Sequence, residues 1–333
     1  MTTPYAELHC LSNFTFLRGA SHPEELVQQA ADLGYRALAL TDECSLAGVV
    51  CAHRAIKEEN LPLKLIIGSE FHHDSGLYVV LVTGRAAYAE LSTFITQCRR
   101  QAEKGHYTFD PAKLISLQHC LLLWLPAEQC MLPQLALLIR HFQQRLWLLG
   151  ERTLDEFDVH HYIDIARWAE IFDLPVVAAS NVHMHHPSRH SLQDCLTAIR
   201  MNQPVHQIKH RLYANAERHL RSLKKLSHLY PEHWLQESII IAEKCTFNLD
   251  EISYLYPTDS VPDGLCAREY LKDLVEKGEA IRFPDGTPQS IQQIIDKELR
   301  LIAQKKYEHY FVTLYDIVQF ARSKNIMCQV EQP

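Results

Sequence analysis

The sequence predicts an α/β fold built on a seven-stranded barrel, with parallel strands separated by helices, followed by a helical segment. Three observations predict it. Short, continuously apolar runs alternate with helical stretches, as in a parallel sheet covered on both faces. There are about seven of them, enough to close a barrel. Several end on a polar residue, which is where such barrels carry their functional groups.

The first run lies in Tyr5 to Gly19 and delivers His9 and Ser12 to its end. The chain then turns at Arg18-Gly19 into a helix from Pro23 to Leu33. Ser21 is expected to cap that helix, with Glu24 reaching back to it and Pro23 in the first turn, where its missing N–H costs nothing. Gly34 stops the helix. Tyr35 to Leu40 is the second strand, running into Thr41-Asp42-Glu43; a helix from Ala47 to Glu59 leads to a third strand, Leu63 to Gly68, ending at Ser69-Glu70. Leu77 to Val82 is the fourth strand, and a helical stretch spans Ala86 to Lys104. Cys120 to Leu125 is the fifth, Pro133 to Gln144 is helical, and Arg145 to Leu149 is the sixth, opening onto Glu151. A helix from Tyr162 to Phe172 precedes the seventh, Val176 to Ala179, which delivers Asn181 and His183.

Further helices are expected at Leu192 to Met201, Glu217 to Leu223 and His233 to Lys244. Pro257, Pro262 and Gly264 mark a boundary near residue 255, giving domains 1–255 and 256–333. The second is helical: Ala267 to Lys277, Ile291 to Gln304, and Thr313 to Lys324, where Leu314, Ile317, Val318 and Ala321 share one face. Ile326 to Gln329 reads as the start of another strand with nothing to pair to, which suggests a truncated chain.

With 47% hydrophobic and 22% charged residues, the composition is that of an ordinary soluble protein. A net charge of −7 confines any nucleic-acid contact to a local patch. The ten cysteines include no C-x-x-C pair and fit reduced, buried thiols better than a disulfide framework. No basic-then-apolar leader opens the chain, and no apolar run reaches the roughly 20 residues of a membrane span. A cytoplasmic location is expected.

Histidines and carboxylates converging on one rim are what a hydrolytic metal centre needs, since imidazole and anionic oxygen together hold zinc or manganese and leave a place for water. His9, Asp42, Glu70 and His183 meet that requirement in outline, although polar strand ends are also ordinary loop chemistry. The pairs His72-His73, His160-His161 and His185-His186 read as surface histidines, because adjacent strand residues face opposite ways. No G-x-S-x-G, P-loop, G-x-G-x-x-G or H-E-x-x-H motif is present. Lys305, Lys306, Arg322 and Lys324 are candidates for phosphate contact, or simply a solvated helix face.

The stretches ELHCLSNFTFLRGASHPEEL, ADLGYRALALTDECSLAGV, IIGSEF and VAASNVHMHHPSRHSLQDCLTAIR resemble the polymerase-and-histidinol-phosphatase (PHP) domain of bacterial replicative-type DNA polymerases. The resemblance is closest to their error-prone branch, alternative alpha subunits of DNA polymerase III that act in damage-induced mutagenesis and translesion synthesis, and it covers Tyr5 to Gln329. It implies a PHP-type barrel followed by the start of a polymerase palm in the stretch YFVTLYDIVQFARSKNIMCQ. For the full-length family it implies magnesium, DNA as partner, other translesion-synthesis proteins and the sliding clamp, and no membrane.

The resemblance also marks departures. Metal-binding relatives carry His-x-His at the first strand, where this chain has His9 and Leu11. They carry Asp-His at the second strand, here Asp42-Glu43, and Asp-x-His at the last, here Asn181-Val182-His183. Glu70 is kept. A degenerate PHP scaffold is therefore expected, with residual zinc or manganese as the most that His9, Asp42, Glu70 and His183 retain, and no catalytic residues. The family's polymerase carboxylates are not in this sequence, so the chain is expected not to polymerise DNA. The alternative is a metal-dependent PHP phosphoesterase or exonuclease.

Overall fold

The computed structural model describes residues 3–127, 132–252, 260–262 and 264–327. The chain divides into two compact units, 1–252 and 253–333. Among the described residues no helix is long and apolar enough to cross a membrane.

The first unit is a nearly closed barrel whose seven strands lie side by side in sequence order. They are β1 (Ala6–Cys10), β2 (Ala37–Leu40), β3 (Lys64–His73), β4 (Gly76–Leu81), β5 (Leu121–Pro126), β6 (Leu146–Glu151) and β7 (Val176–Ala179). The intervening helices are α1 (Pro23–Asp32), α2 (Val49–Glu58), α3 (Arg85–Arg100), α4 (Leu132–Phe142) and α5 (Asp158–Phe172).

The expectation of an all-parallel sheet is corrected at β4, which is antiparallel to both β3 and β5. Only Asp74 and Ser75 separate β3 from β4, a link long enough for a hairpin and far too short for a parallel crossover. The hairpin also lengthens β3 to ten residues, carrying it past Gly68 to His73.

Alternate strand positions face two apolar layers. Ala6, Leu8, Ala39, Ile66, Val79, Leu123, Leu149 and Val177 fill the barrel, while Leu38, Ile67, Tyr78, Leu122 and Leu148 pack outward under α1 to α5. Both layers are apolar, so the strands read as continuous hydrophobic runs. After β7 come α6 (His190–Met201), α7 (Leu223–Leu229) and α8 (Glu232–Lys244). Helix α8 closes the barrel floor: Ile241 and Ala242 join the inner layer, Ser238 Oγ accepts from Ala6 N (3.1 Å), and Lys64 Nζ donates to Ala242 O (2.6 Å). Both of these partners open their strands, so the opposite rim stays free for chemistry.

Strands β1 and β7 meet at an incomplete seam. Past the strand ends, Val182 N donates to His9 O and Leu11 N to Val182 O (2.9 and 2.8 Å). Within the seam, the buried Glu7 carboxylate accepts from His9 N and Ser180 N, both at 3.1 Å. It thereby supplies acceptors that a continuous ladder would have given.

Three local expectations need correction. The cap of α1 is His22, with Glu25 rather than Glu24 reaching back to His22 N (2.9 Å). Ser21 is diverted to His185, accepting from its backbone N at 2.9 Å. Glu217 to Ser222 forms no helix, and Leu223 only opens α7; the stretch belongs to a strap held by buried Arg221, whose Nη2 donates to Arg152 O (2.5 Å) and Glu217 O (3.0 Å). The strand expected to start at Ile326 is not seen at Ile326 or Met327, and Cys328 and Gln329 lie outside the described residues.

The second unit comprises α9 (Ala267–Arg282), α10 (Gln289–Lys305) and α11 (Glu308–Ser323). Its helical character follows expectation, but the apolar stripe on α11 is little covered: Val312 is buried, whereas Ile317 is 57% and Phe320 63% exposed.

Two glycines test this packing in opposite directions. A Cβ on Gly19 would lie 1.9 Å from Ser12 O, a backbone atom that can shift only by deforming the turn after β1. Gly19→Ala is expected to cost about 3 kcal/mol, the upper range for overpacking, and to lower the thermal midpoint by several degrees. Gly278, inside α9, has nothing within 4 Å of such a Cβ, so Gly278→Ala should leave helicity by circular dichroism unchanged or raised.

Candidate metal centre at the barrel rim

Five strand ends bring polar side chains to the free rim. His9 is fully buried between two carboxylates, with Nδ1 2.5 Å from Glu151 Oε1 and Nε2 2.6 Å from Glu70 Oε2. Burial alone would disfavour its charge, but Glu151 and Glu70 outweigh that and push its pKa up to about 10. His9 is thus an imidazolium donating from both ring nitrogens.

Glu70 is equally buried. Burial opposes its ionisation, yet the Arg18 guanidinium, with His72 and His9 beside it, holds its carboxyl well below the usual range. One Arg18 nitrogen, Nη1, stands 2.5 Å from Glu70 Oε1, 2.5 Å from Glu43 Oε2 and 3.2 Å from His72 Nε2. His72 Nε2 is itself 2.9 Å from Glu70 Oε1. Tyr107 donates to Glu43 Oε1 at 2.8 Å and receives His72 N at 3.1 Å, which fixes the outer side of the cluster.

Asp42 is turned the other way. Its Oδ1 accepts from Ser12 N and Thr15 Oγ1 (2.8 and 2.7 Å), and its Oδ2 from Ser12 Oγ (2.7 Å). Burial raises its pKa despite these bonds. At the last strand, Asn181 Nδ2 donates to Glu151 Oε2 (2.8 Å), which leaves Asn181 Oδ1 to accept from His183 Nε2 (2.8 Å). The remaining His183 nitrogen, Nδ1, faces the Tyr213 hydroxyl of the strap at 3.3 Å. Burial, reinforced by Arg218 and Arg18, keeps His183 neutral, its pKa well below the usual value.

All four expected ligands therefore stand on the rim, but only His9 and Glu70 bond each other directly. Among the described residues, the set of three donors lying within 4.8 Å of one another is Glu43, Glu70 and His72. Only Glu70 belongs to the expected set. Glu43 stands at the position where the resemblance implies a histidine in metal-binding proteins, and His72 comes from a pair expected to be surface histidines. Its side chain is 47% exposed, yet it sits on the same strand face as Glu70 two residues earlier. The sequence pattern gives Arg18 only a place in a turn and Glu151 only the end of a strand, so neither side chain is expected at the site. Elsewhere, Arg322 and Lys324 lie exposed at the end of α11, Lys324 Nζ being 5.9 Å over the Phe320 ring.

Comparison with known proteins shows what this chain is similar to. Residues 7–167 match the PHP domain, and residues 269–330 match the bacterial DNA polymerase III alpha NTPase domain. The chain is 49% identical over 327 residues to the error-prone DNA polymerase of Vibrio vulnificus and 46% identical over 334 residues to that of Hahella chejuensis. Each match covers 98% of this chain and 32% of the relative, so the chain spans about a third of the length of these curated relatives. A solved amidohydrolase from Chromobacterium violaceum aligns with 54% of this chain and 88% of its own at 14% identity, with a TM-score of 0.37, too loose to bear on function. Over nearly all of its length the chain is thus similar to the opening third of bacterial error-prone DNA polymerases, with a PHP-domain match across the strands that carry most of the rim.

Proposed function

We propose that the barrel is a structural PHP domain of an error-prone DNA polymerase and does not itself hydrolyse phosphoesters. The observation that carries this reading is the engagement of the rim's donors by protein groups. A hydrolytic metal needs deprotonated imidazoles and an open coordination position. His9 is instead protonated between two glutamates, Asp42 is filled by Ser12 and Thr15, and Arg18 sits among Glu43, Glu70 and His72. Zinc or manganese does not fit these residues as they stand.

DNA synthesis across damaged templates, in the cytoplasm, is the setting this reading implies. Magnesium, the sliding clamp and other translesion-synthesis proteins belong to the full-length family. The similarity to the Vibrio and Hahella enzymes supports it, as do the exposed Arg322 and Lys324 within the segment matching the polymerase III alpha family, where a few cations suffice for phosphate contact.

The purified chain, given manganese or zinc, should neither hydrolyse p-nitrophenyl phosphate, nor degrade a labelled primer from its 3′ end, nor incorporate nucleotides with magnesium. Manganese-stimulated hydrolysis abolished by His9→Ala would establish the phosphoesterase alternative instead.

Stability should also report the His9 clamp. Between its ordinary pKa of 6.5 and its folded value of about 10, the native state holds a proton that the unfolded chain has released. The clamp's stabilisation is therefore complete below pH 6.5 and is lost as pH rises toward 10, at up to about 1.4 kcal/mol per pH unit. Denaturant titrations between pH 6.5 and 8 should show this fall in the wild type and a shallower one in His9→Gln. Equal slopes would mean that His9 is not charged in the folded state.

A further inference from the structure

We propose that Arg18 is a built-in replacement for a divalent cation, so that the guanidinium itself is what keeps metal out of the Glu43, Glu70 and His72 cluster. This deepens the scaffold reading above and rests on it. The geometry is specific. A single nitrogen, Nη1, stands within 2.5 Å of one oxygen from each glutamate and 3.2 Å from the imidazole nitrogen of His72. Those three donors also lie within 4.8 Å of one another, close enough to share one ion. The Arg18 side chain is only 15% exposed and Glu70 is fully buried, so the cation cannot simply be replaced by water. A buried carboxylate must be paired, coordinated or protonated, and here the pairing comes from within the chain.

Removing the guanidinium while keeping the apolar stem should leave two carboxylates and an imidazole facing an uncompensated charge, the donor set that manganese or zinc accepts. The cluster itself is intact in the wild type; only its cation is supplied covalently. His9 lies on the other side of Glu70, bridging its Oε2 to Glu151, so this pair meets part of the Glu70 charge but adds no ligand to the cluster and does not neutralise Glu43.

The test compares wild type, Arg18→Met and Arg18→Met/Glu43→Gln by manganese titration, using calorimetry and thermal unfolding of the full 333-residue chain. Arg18→Met should bind one manganese ion at least tenfold more tightly than the wild type. Its thermal midpoint should fall by several degrees without metal and recover with manganese chloride, while the wild-type midpoint stays unmoved. The double variant, short of one ligand, should lose the gained binding. Folded Arg18→Met that takes up no manganese would overturn the proposal. So would an Arg18→Met that fails to fold even with manganese, since an ion taking the guanidinium's place would restore the balance. Stoichiometric manganese in the wild type would instead overturn the scaffold reading, a separate outcome.

Discussion

Charge compensation at the carboxyl ends of the strands is the constraint on which the rest of the site depends. Glu43, Glu70 and Glu151 converge there, Glu70 with no solvent access at all. A buried carboxylate with no partner would cost several kcal/mol, enough to matter against the modest net stability of any domain. Two cations meet it from opposite sides. Arg18 faces Glu43 and Glu70, and the imidazolium of His9 joins Glu70 to Glu151. Glu70 stands between them and belongs to both pairs.

The barrel makes this possible by separating its two ends. Helix α8 fills the floor with apolar side chains and satisfies the strands' opening polar groups, while Glu7 holds the seam where β1 and β7 fail to form a full ladder. The β3–β4 hairpin contributes as well. By extending β3 beyond Glu70 it brings His72 to the same strand face, and by reversing direction it leaves β4 with no functional end at the rim. The strap pinned by Arg221 then carries Tyr213 over His183, covering the last free imidazole nitrogen.

Much of this was legible in the chain. Seven apolar runs, and the polar residues at their ends, located His9, Asp42, Glu70 and His183 on one rim, because strand direction in a barrel fixes where ends point. What was not legible were the pairings. The period of two that turns His72 and His73 to opposite faces also puts Glu70 and His72 on one face, a pairing that becomes visible only once β3 is known to run past Gly68. Arg18 belongs to a turn whose side chain folds back over Glu70, a long-range contact that no local pattern records. The β4 reversal was in principle visible in the two-residue gap before Gly76, once the third strand is allowed to run to His73.

The rim carries its own cation in the Arg18 guanidinium. A crystal of the wild-type chain soaked in manganese chloride, read by anomalous diffraction, tests that most directly. The expected result is no anomalous peak at the rim and a guanidinium density bridging Glu43 and Glu70. A manganese peak coordinated by Glu43, Glu70 and His72, with Arg18 swung out to solvent, would contradict it.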